Sequence, residues 1–364
     1  MSILYDEGQG AIASEAQRIL QARASKDRAL GLLESEGAFD TVFWNTAVEQ
    51  GWTGVAIPEE YGGLGLGLVE LGIVAQACGG ALSGAPFLTT GYGATRALLA
   101  AGSEDLRARF LRLLASGEAL AAVALGEAEA ILPPSPAVVF EQGALTGLKE
   151  AVVAGLGANF AIVWASAQGQ PALALAELDG VTRRPVQSFD NSRLYADIEF
   201  NRTPAQLIAQ GEAARKLAVE VLAHMAVVTA HEQTGGAEFL LRTGCEYANT
   251  RRAFGQPIAA FQSVKHRLAE IYALIEISRA NCIHAAAQAG EEDFIKAAAA
   301  ARLTATEAYD VAARDVIQVH GGIGATWEAG LHLHQRRTRS LAIEQGNLLF
   351  WEDLLVDQLT GVAA

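Results

Sequence analysis

The sequence predicts a mainly α protein with a small central β domain, ordered as a helical domain over residues 1–117, a β domain over 118–208 and a C-terminal helical bundle over 209–364. Three observations carry this. From Asp27 to about Ser116 apolar residues recur at three- and four-residue spacing. Near Glu118 the pattern changes to short Val, Ile, Phe and Leu runs broken by Gly, Pro and Asp. From Glu212 the helical period returns and persists almost to the end.

In the first segment Phe43, Ala47 and Val48, and then Leu106, Phe110, Leu113 and Leu114, mark apolar faces of amphipathic helices. Pro58-Glu59-Glu60-Tyr61-Gly62-Gly63-Leu64-Gly65-Leu66-Gly67 interrupts them, since its glycines admit tight backbone conformations that end regular structure. In the middle segment Ala151–Val153, Phe160–Ser166 and Ala172–Leu178 read as strands. In the last segment Leu217–Glu232, Phe239–Asn249, Gln262–Ala289 and Phe294–Val319 read as helices long enough for an antiparallel bundle.

At 364 residues the chain is too long for one ordinary domain and long enough to bury a substantial core. Its formal net charge of −14 disfavours loose binding to nucleic acid or to anionic membranes. Cys78, Cys245 and Cys282 are odd in number and far apart, which indicates neither a disulfide framework nor a CxxC site. The expectation is a cytoplasmic protein without a signal peptide, and no apolar run reaches the roughly 18 residues of a membrane span.

No GxGxxG, GxxxxGK[ST] or GxSxG pattern occurs, which removes the usual dinucleotide, P-loop and hydrolase signals. His332 and His334 are two residues apart, and His224 and His231 two turns apart, with no third ligand at a familiar spacing, so no metal site is expected. Two segments are more specific. The first runs Tyr247-Ala248-Asn249-Thr250-Arg251-Arg252-Ala253-Phe254-Gly255-Gln256-Pro257-Ile258 and then Phe261-Gln262; the second is Gln318-Val319-His320-Gly321-Gly322-Ile323-Gly324. Together they offer guanidinium, side-chain amides and backbone free of side chains, a set suited to pyrophosphate and ribose.

These segments match the motifs YxxxRxxFGxPIxxFQ and QxxGGxG of the acyl-CoA dehydrogenases, which the chain resembles over nearly its whole length. Gly51-Trp52-Thr53-Gly54 followed by Pro58–Gly63 resembles the family's amino-terminal signature, and Ala85-Pro86-Phe87 the segment after its next helix. The resemblance implies that Arg251, Phe254, Gln262, Gln318, Gly321 and Gly322 contact the FAD of a neighbouring subunit, chiefly its pyrophosphate and adenosine portion.

Family enzymes convert an acyl-CoA to a 2,3-enoyl-CoA: a glutamate removes the α proton while hydride leaves the β carbon for the flavin. At the E-G-T position where many members carry that glutamate, this chain reads Gln345-Gly346-Asn347. An amide is no base near neutral pH. Glu344 is the adjacent carboxylate, but neighbours on a helix point about 100° apart. A second family location, on the helix before the FG motif, falls on Met225, with Glu220 and Glu232 too far along to match it. The stretches that embrace the isoalloxazine ring in relatives read Leu125-Gly126-Glu127-Ala128 and Ala151-Val152-Val153-Ala154, with little to hydrogen-bond a flavin edge.

Residues resembling those that reach a partner's FAD are thus retained, while those that would complete this chain's own site are altered. The expectation is an α2β2 assembly with a related, complete acyl-CoA dehydrogenase subunit, acting on an acyl-CoA, with electron-transferring flavoprotein as the usual acceptor by resemblance. Gly324-Ala325-Thr326-Trp327-Glu328 is similar to bacterial members that act in steroid side-chain degradation. Three other readings stay open: a homotetrameric enzyme using Glu344 as base, a hydroxylating flavoenzyme of the same fold, and a helical scaffold that no longer binds FAD.

Overall fold

The structure, a computed structural model, describes residues 5–23, 25–35, 37, 39–82 and 87–361; Ala85 and Pro86 of the segment resembling the family lie outside them. The helices α1 (Glu7–Arg23), α2 (Lys26–Glu34), α3 (Thr41–Glu49), α4 (Leu68–Gly80), α5 (Phe87–Ala101) and α6 (Glu104–Ala115) come first. Strands β1 (Ala121–Ala124), β2 (Val139–Glu141), β3 (Ala144–Val152), β4 (Phe160–Ala167), β5 (Gln170–Glu177), β6 (Thr182–Pro185) and β7 (Ala196–Gln210) follow. Then come α7 (Glu212–Thr250), the short strands β8 (Arg252–Ala253) and β9 (Gln256–Pro257), and helices α8 (Gln262–Ala287), α9 (Phe294–His320), α10 (Leu331–Ile343) and α11 (Leu348–Thr360). This is the expected mainly α chain with one small β domain in its middle.

In space the chain forms two compact units, each discontinuous in sequence. One comprises Leu32–Gly67 and Gly84–Met225, the other Met1–Gly31, Leu68–Ser83 and Ala226–Ala364.

The first unit is built on the sheet. Strand β4 pairs with β1, β2 and β5, while β7 pairs with β3, β5 and β6, and β2 pairs with β3, so the path β4-β2-β3-β7-β5 returns to β4 as a closed ring. The runs Ala161–Ala165 and Ala172–Ala176 are buried throughout, as strands covered on both faces must be. Between β4 and β5 the register closes on Ala167↔Gln170, leaving Gln168 and Gly169, both at positive φ, as a two-residue turn whose twist matches the strands. Val138, Leu145, Val163, Ile198 and Phe200 fill the interior. Ala151, read as part of a strand, sits at φ 46 where the β3–β7 register shifts, so β3 bends at its end.

The second unit packs α1, α4 and α8 to α11 around the later part of α7, with Leu240, Ile271, Ile275, Tyr309 and Val316 in its core. Sequence spacing marks Leu217–Glu232 and Phe239–Asn249 as separate helices; the structure joins them into one helix of 39 residues. The apparent break is Gly235-Gly236. A Cβ on Gly235 would lie 1.8 Å from the Gln76 carbonyl oxygen of α4, one on Gly79 would lie 1.8 Å from the Glu232 carbonyl oxygen, and one on Gly236 would meet the Tyr309 ring at 2.5 Å. A mid-helix glycine costs about 0.5–1 kcal/mol relative to alanine. Here that cost is offset by backbone contact that no other residue permits.

Gly235→Ala tests this. Helix propensity alone favours the alanine by about 1 kcal/mol, whereas overpacking costs roughly 1–3 kcal/mol, so net destabilisation is expected as a lower urea midpoint. A midpoint unchanged or raised would overturn the close-contact account.

Candidate functional site

One end of the helical unit gathers both specific motifs. Arg251 follows α7 directly: its N–H donates to Tyr247 O at 2.8 Å, and its carbonyl accepts from Ile258 N at 2.8 Å, fixing the base of the β8–β9 hairpin. The turn of that hairpin is Phe254-Gly255, with φ 49 and 81. A bulky residue at positive φ is strained, and yet the Phe254 ring is 94% exposed, touching only the edge of Phe261 at 6.2 Å between centroids among the ring contacts. Gln262 is exposed and opens α8, whose N-cap, Phe261, contributes no side-chain cap. The first N–H groups of a helix have no partners within it and carry the positive end of its dipole.

Gln318 is exposed in the last turn of α9, and Gly321 ends that helix at φ 61, donating its N–H to Gln318 O. The Tyr247 ring stacks on His320 at 4.1 Å and 22°, and its hydroxyl donates to His320 O at 3.4 Å, which brings the end of α7 against the end of α9. Arg267 and Asp315, 2.6 Å apart, tie the start of α8 to the same turns. Arg251, Gln262 and Gln318 are therefore carried on three chain ends locked together. The glycines there differ in kind. A Cβ on Gly324 would lie 2.6 Å from Ile317 O, so packing demands glycine; Gly322 has no positive φ and open space around its missing Cβ, so this chain's own fold does not demand it.

The second cluster is the turn after α10. The reading that treats Glu344 and Gln345 as neighbours on a helix is corrected here: α10 ends at Ile343, Glu344 is extended at φ −61 and ψ 138, and Gln345 takes φ 56 before Gly346 at φ 103. Gln345 is buried, and its Oε1 accepts a hydrogen bond from Thr229 Oγ1 of α7 at 2.9 Å. Arg302 of α9 organises the turn. Its guanidinium donates to Glu344 O at 2.9 Å and to Leu341 O, and is itself oriented by Gln233 Oε1 at 2.6 Å and Thr306 Oγ1 at 2.9 Å. A cation on the last carbonyls of a helix satisfies groups the helix leaves unpaired. Burial pulls the Arg302 pKa down to about 10, and the charges of Glu344 and Glu232 act against that fall, so it remains a cation. Arg337 and Glu232 form a buried pair at 2.7 Å beside it.

The other carboxylates near the expected base positions are engaged. Met225 is buried, with its sulfur against Gly93 of α5. Glu220 lies 3.6 Å from the His224 ring and 2.9 Å from Arg96, and these two partners, His224 foremost, hold its pKa down to about 2 against the opposing effect of burial. A base poised near neutrality needs the opposite shift. In the β unit Glu127 takes Lys149 Nζ at 2.6 Å and Ala137 N at 2.6 Å, while Lys149 also donates to Leu125 O at 3.1 Å. Burial lowers that lysine to about 8, with Glu127 opposing the fall.

Thr229 and Arg302 were not singled out from sequence. Thr229 gives no local signal on a buried helix face, whereas a lone arginine after the run Ala297–Ala301 was a readable one. The histidines are dispersed: His224 bonds Tyr92 at 3.1 Å, His334 bonds Tyr309 at 2.8 Å, His332 stacks on Trp327 at 4.4 Å and His231 packs on Gly72. Among the described residues no group of His, Cys, Asp and Glu could hold a metal ion, and no helix is long and apolar enough to cross a membrane.

A helical chain with a closed β domain, bearing an arginine, two glutamines and glycine backbone at one end, has the architecture of an acyl-CoA-oxidising flavoenzyme. The chain belongs to the acyl-CoA dehydrogenase family: the profile "Acyl-CoA dehydrogenase, N-terminal domain" matches residues 6–118 and "Acyl-CoA dehydrogenase, C-terminal domain" residues 215–348. It is 35% identical over 311 residues to acyl-CoA dehydrogenase IpdE2 of Mycobacterium tuberculosis, covering 85% of this chain and 84% of that one. Among solved structures it is similar to the ChsE4-ChsE5 complex from Mycobacterium tuberculosis, with TM-score 0.89, 25% identity and 100% of both chains covered. It is also similar to a variant of the Tcur3481-Tcur3483 steroid ACAD, with TM-score 0.87, 26% identity and 98% of both chains covered.

The packing of α10 on α7 and α9 has a pH signature. The His334 ring stacks on Phe239 at 4.8 Å, and burial, then the Arg337 charge, push its pKa down to about 3; burial brings His231 to about 4 against the opposing effect of a hydrogen bond to the Cys282 backbone. Both rings stay neutral when folded but protonate near 6.5 once unfolded. Stability is therefore full above about pH 6.5 and falls with acidification, each group contributing at most about 1.4 kcal/mol per pH unit. His334→Gln should make the acid slope of the urea midpoint shallower, and an unchanged slope would contradict the buried neutral ring.

Proposed function

We propose that this chain is a subunit of an FAD-dependent acyl-CoA dehydrogenase in which it grips the FAD pyrophosphate and adenosine across a subunit interface while a related partner subunit supplies the catalytic base. One observation carries the reading: the exposed groups Arg251, Phe254, Gln262 and Gln318, with the open backbone at Gly322, stand together at one end of the bundle with little use inside their own chain. This donor set fits a dinucleotide phosphate, because guanidinium, amide and a helix N-terminus all favour anions and glycine lets the ligand come close. When bound, FAD supplies the hydride acceptor for desaturation.

Within this chain the residues hold and orient. Arg251 and Gln318 place the phosphates, Gly321 and Gly322 leave room for them, and Phe254 projects from a strained turn to cover the ligand's flank. Proton removal falls to the partner, because residue 345 is an amide bonded to Thr229 and Glu220 is tied to Arg96. Glu344 is buried at the end of α10, its carbonyl held by Arg302, which gives it a structural setting. The Glu127 carboxylate, bonded inward to Lys149, likewise offers little to a flavin ring on this chain's own side. The assembly is α2β2 and cytoplasmic, its substrate a bulky acyl-CoA thioester and its acceptor electron-transferring flavoprotein.

Co-purification with a co-encoded homologue tests this. The pair should be yellow and active, with half the flavin of a homotetramer; active homotetramers of this chain alone, fully loaded with flavin, would reject the heteromer. In the complex, charge-assisted hydrogen bonds of about 1.5–3 kcal/mol each predict that Arg251→Ala strips FAD, read as lost absorbance near 450 nm after gel filtration. Unchanged flavin content would count against Arg251. Glu344→Gln should leave turnover of the complex intact, and loss of the chemical step with retained flavin would move the base into this chain.

A further inference from the structure

The helical unit holds a cavity of about 330 Å³ between α1, α4 and the later part of α7, lined in part by Leu20, Ile73, Gln76, Phe239 and Arg242. That volume reaches the range of small-molecule sites, roughly 300–1,000 Å³. None of these residues belongs to the flavin-holding set. We propose that it is a second binding site, for an amphipathic monocarboxylate whose apolar chain carries a hydroxyl or amide N–H.

Three features of the lining specify that chemistry. Leu20, Ile73 and Phe239 give it apolar walls for a hydrocarbon chain. Arg242 is exposed, its guanidinium lies 5.6 Å from the Phe239 ring centroid, and it has no carboxylate partner among the described residues. A cation held against an aromatic face beside an apolar hollow is a seat for a carboxylate head.

The donor requirement comes from Gln76. Its Nε2 donates to Glu238 Oε1 at 2.8 Å, and Glu238 is also bound by Arg279. With its Nε2 directed at the carboxylate oxygen, Gln76 keeps its Oε1 buried and without a hydrogen-bond donor, and the Tyr5 hydroxyl beside the same cavity has no partner either. Buried polar atoms of this kind call for a partner. A small rotation of Gln76 toward the cavity supplies one when a ligand hydroxyl or N–H is present. The Glu238 charge at the same wall disfavours a ligand with a second carboxylate.

Calorimetric titration of the full chain, alone and with its partner subunit, tests the site with three probes: 10-hydroxydecanoate, decanoate and decan-1-ol. Saturable binding of 10-hydroxydecanoate is expected, with each of the other two about tenfold weaker for the loss of one hydrogen-bonding group. Arg242→Gln should weaken both carboxylates about tenfold and leave the alcohol unchanged; Gln76→Leu should erase the difference between 10-hydroxydecanoate and decanoate. Absence of saturable binding by 10-hydroxydecanoate, or equal affinity of all three probes, overturns the proposal. Circular dichroism establishes that each variant folds, and because Arg242 is a surface residue its substitution decides the matter if Gln76→Leu does not fold.

Discussion

The backbone of α4 lies directly against the backbone of α7, and much of the helical unit is arranged around that contact. At Gly79 and Gly235 each helix places an α carbon where the other places a carbonyl, so neither has room for so much as a methyl group. The contact fixes α7 in rotation as well as in position. With that rotation set, Thr229 faces the turn at Gln345, Glu232 reaches Arg337, and Tyr247 meets His320 at the far end. One helix thereby holds both the end that carries Arg251 and the floor of the residue 345 turn in a common frame. Unequal helix spacing is the usual outcome when side chains separate two helices; glycine removes that variable.

Much of this was legible in the sequence. Helical and strand periods mark the order of elements, because apolar spacing reports directly on which face is buried. Arg251, Gln262 and Gln318 could be singled out because two segments combine guanidinium, side-chain amides and glycine in a pattern that resembles the family's motifs. Other features were not legible. The glycine pair at 235 and 236 reads as an interruption when only local conformation is considered, and its meaning depends on a carbonyl contributed by Gln76 far away in the chain. For the same reason the split of the first helices between two compact units is invisible to any local pattern.

The turn at 344–346 shows where residue identity and backbone part company. That an amide stands at position 345 is plain from the sequence, and so is its chemical consequence. What could not be read is that the helix has already ended, that Gln345 adopts a left-handed conformation, and that a buried arginine from another helix holds the carbonyls in place. The turn is thus held by buried hydrogen bonds around a side chain that is an amide. Thr229 completes the arrangement by giving the amide oxygen a donor, so the buried position is satisfied without a charge.

The closed strand ring in the other unit bears on unwanted association. An open sheet ends in rows of unpaired N–H and C=O groups that can template pairing with any passing strand. Here the path through β2, β3, β7, β5 and β4 returns on itself, and β1 and β6 are short strands laid against its members. Among the described residues of this unit few backbone edges therefore stay open to such indiscriminate joining, and its contacts with other proteins depend on how side chains fit.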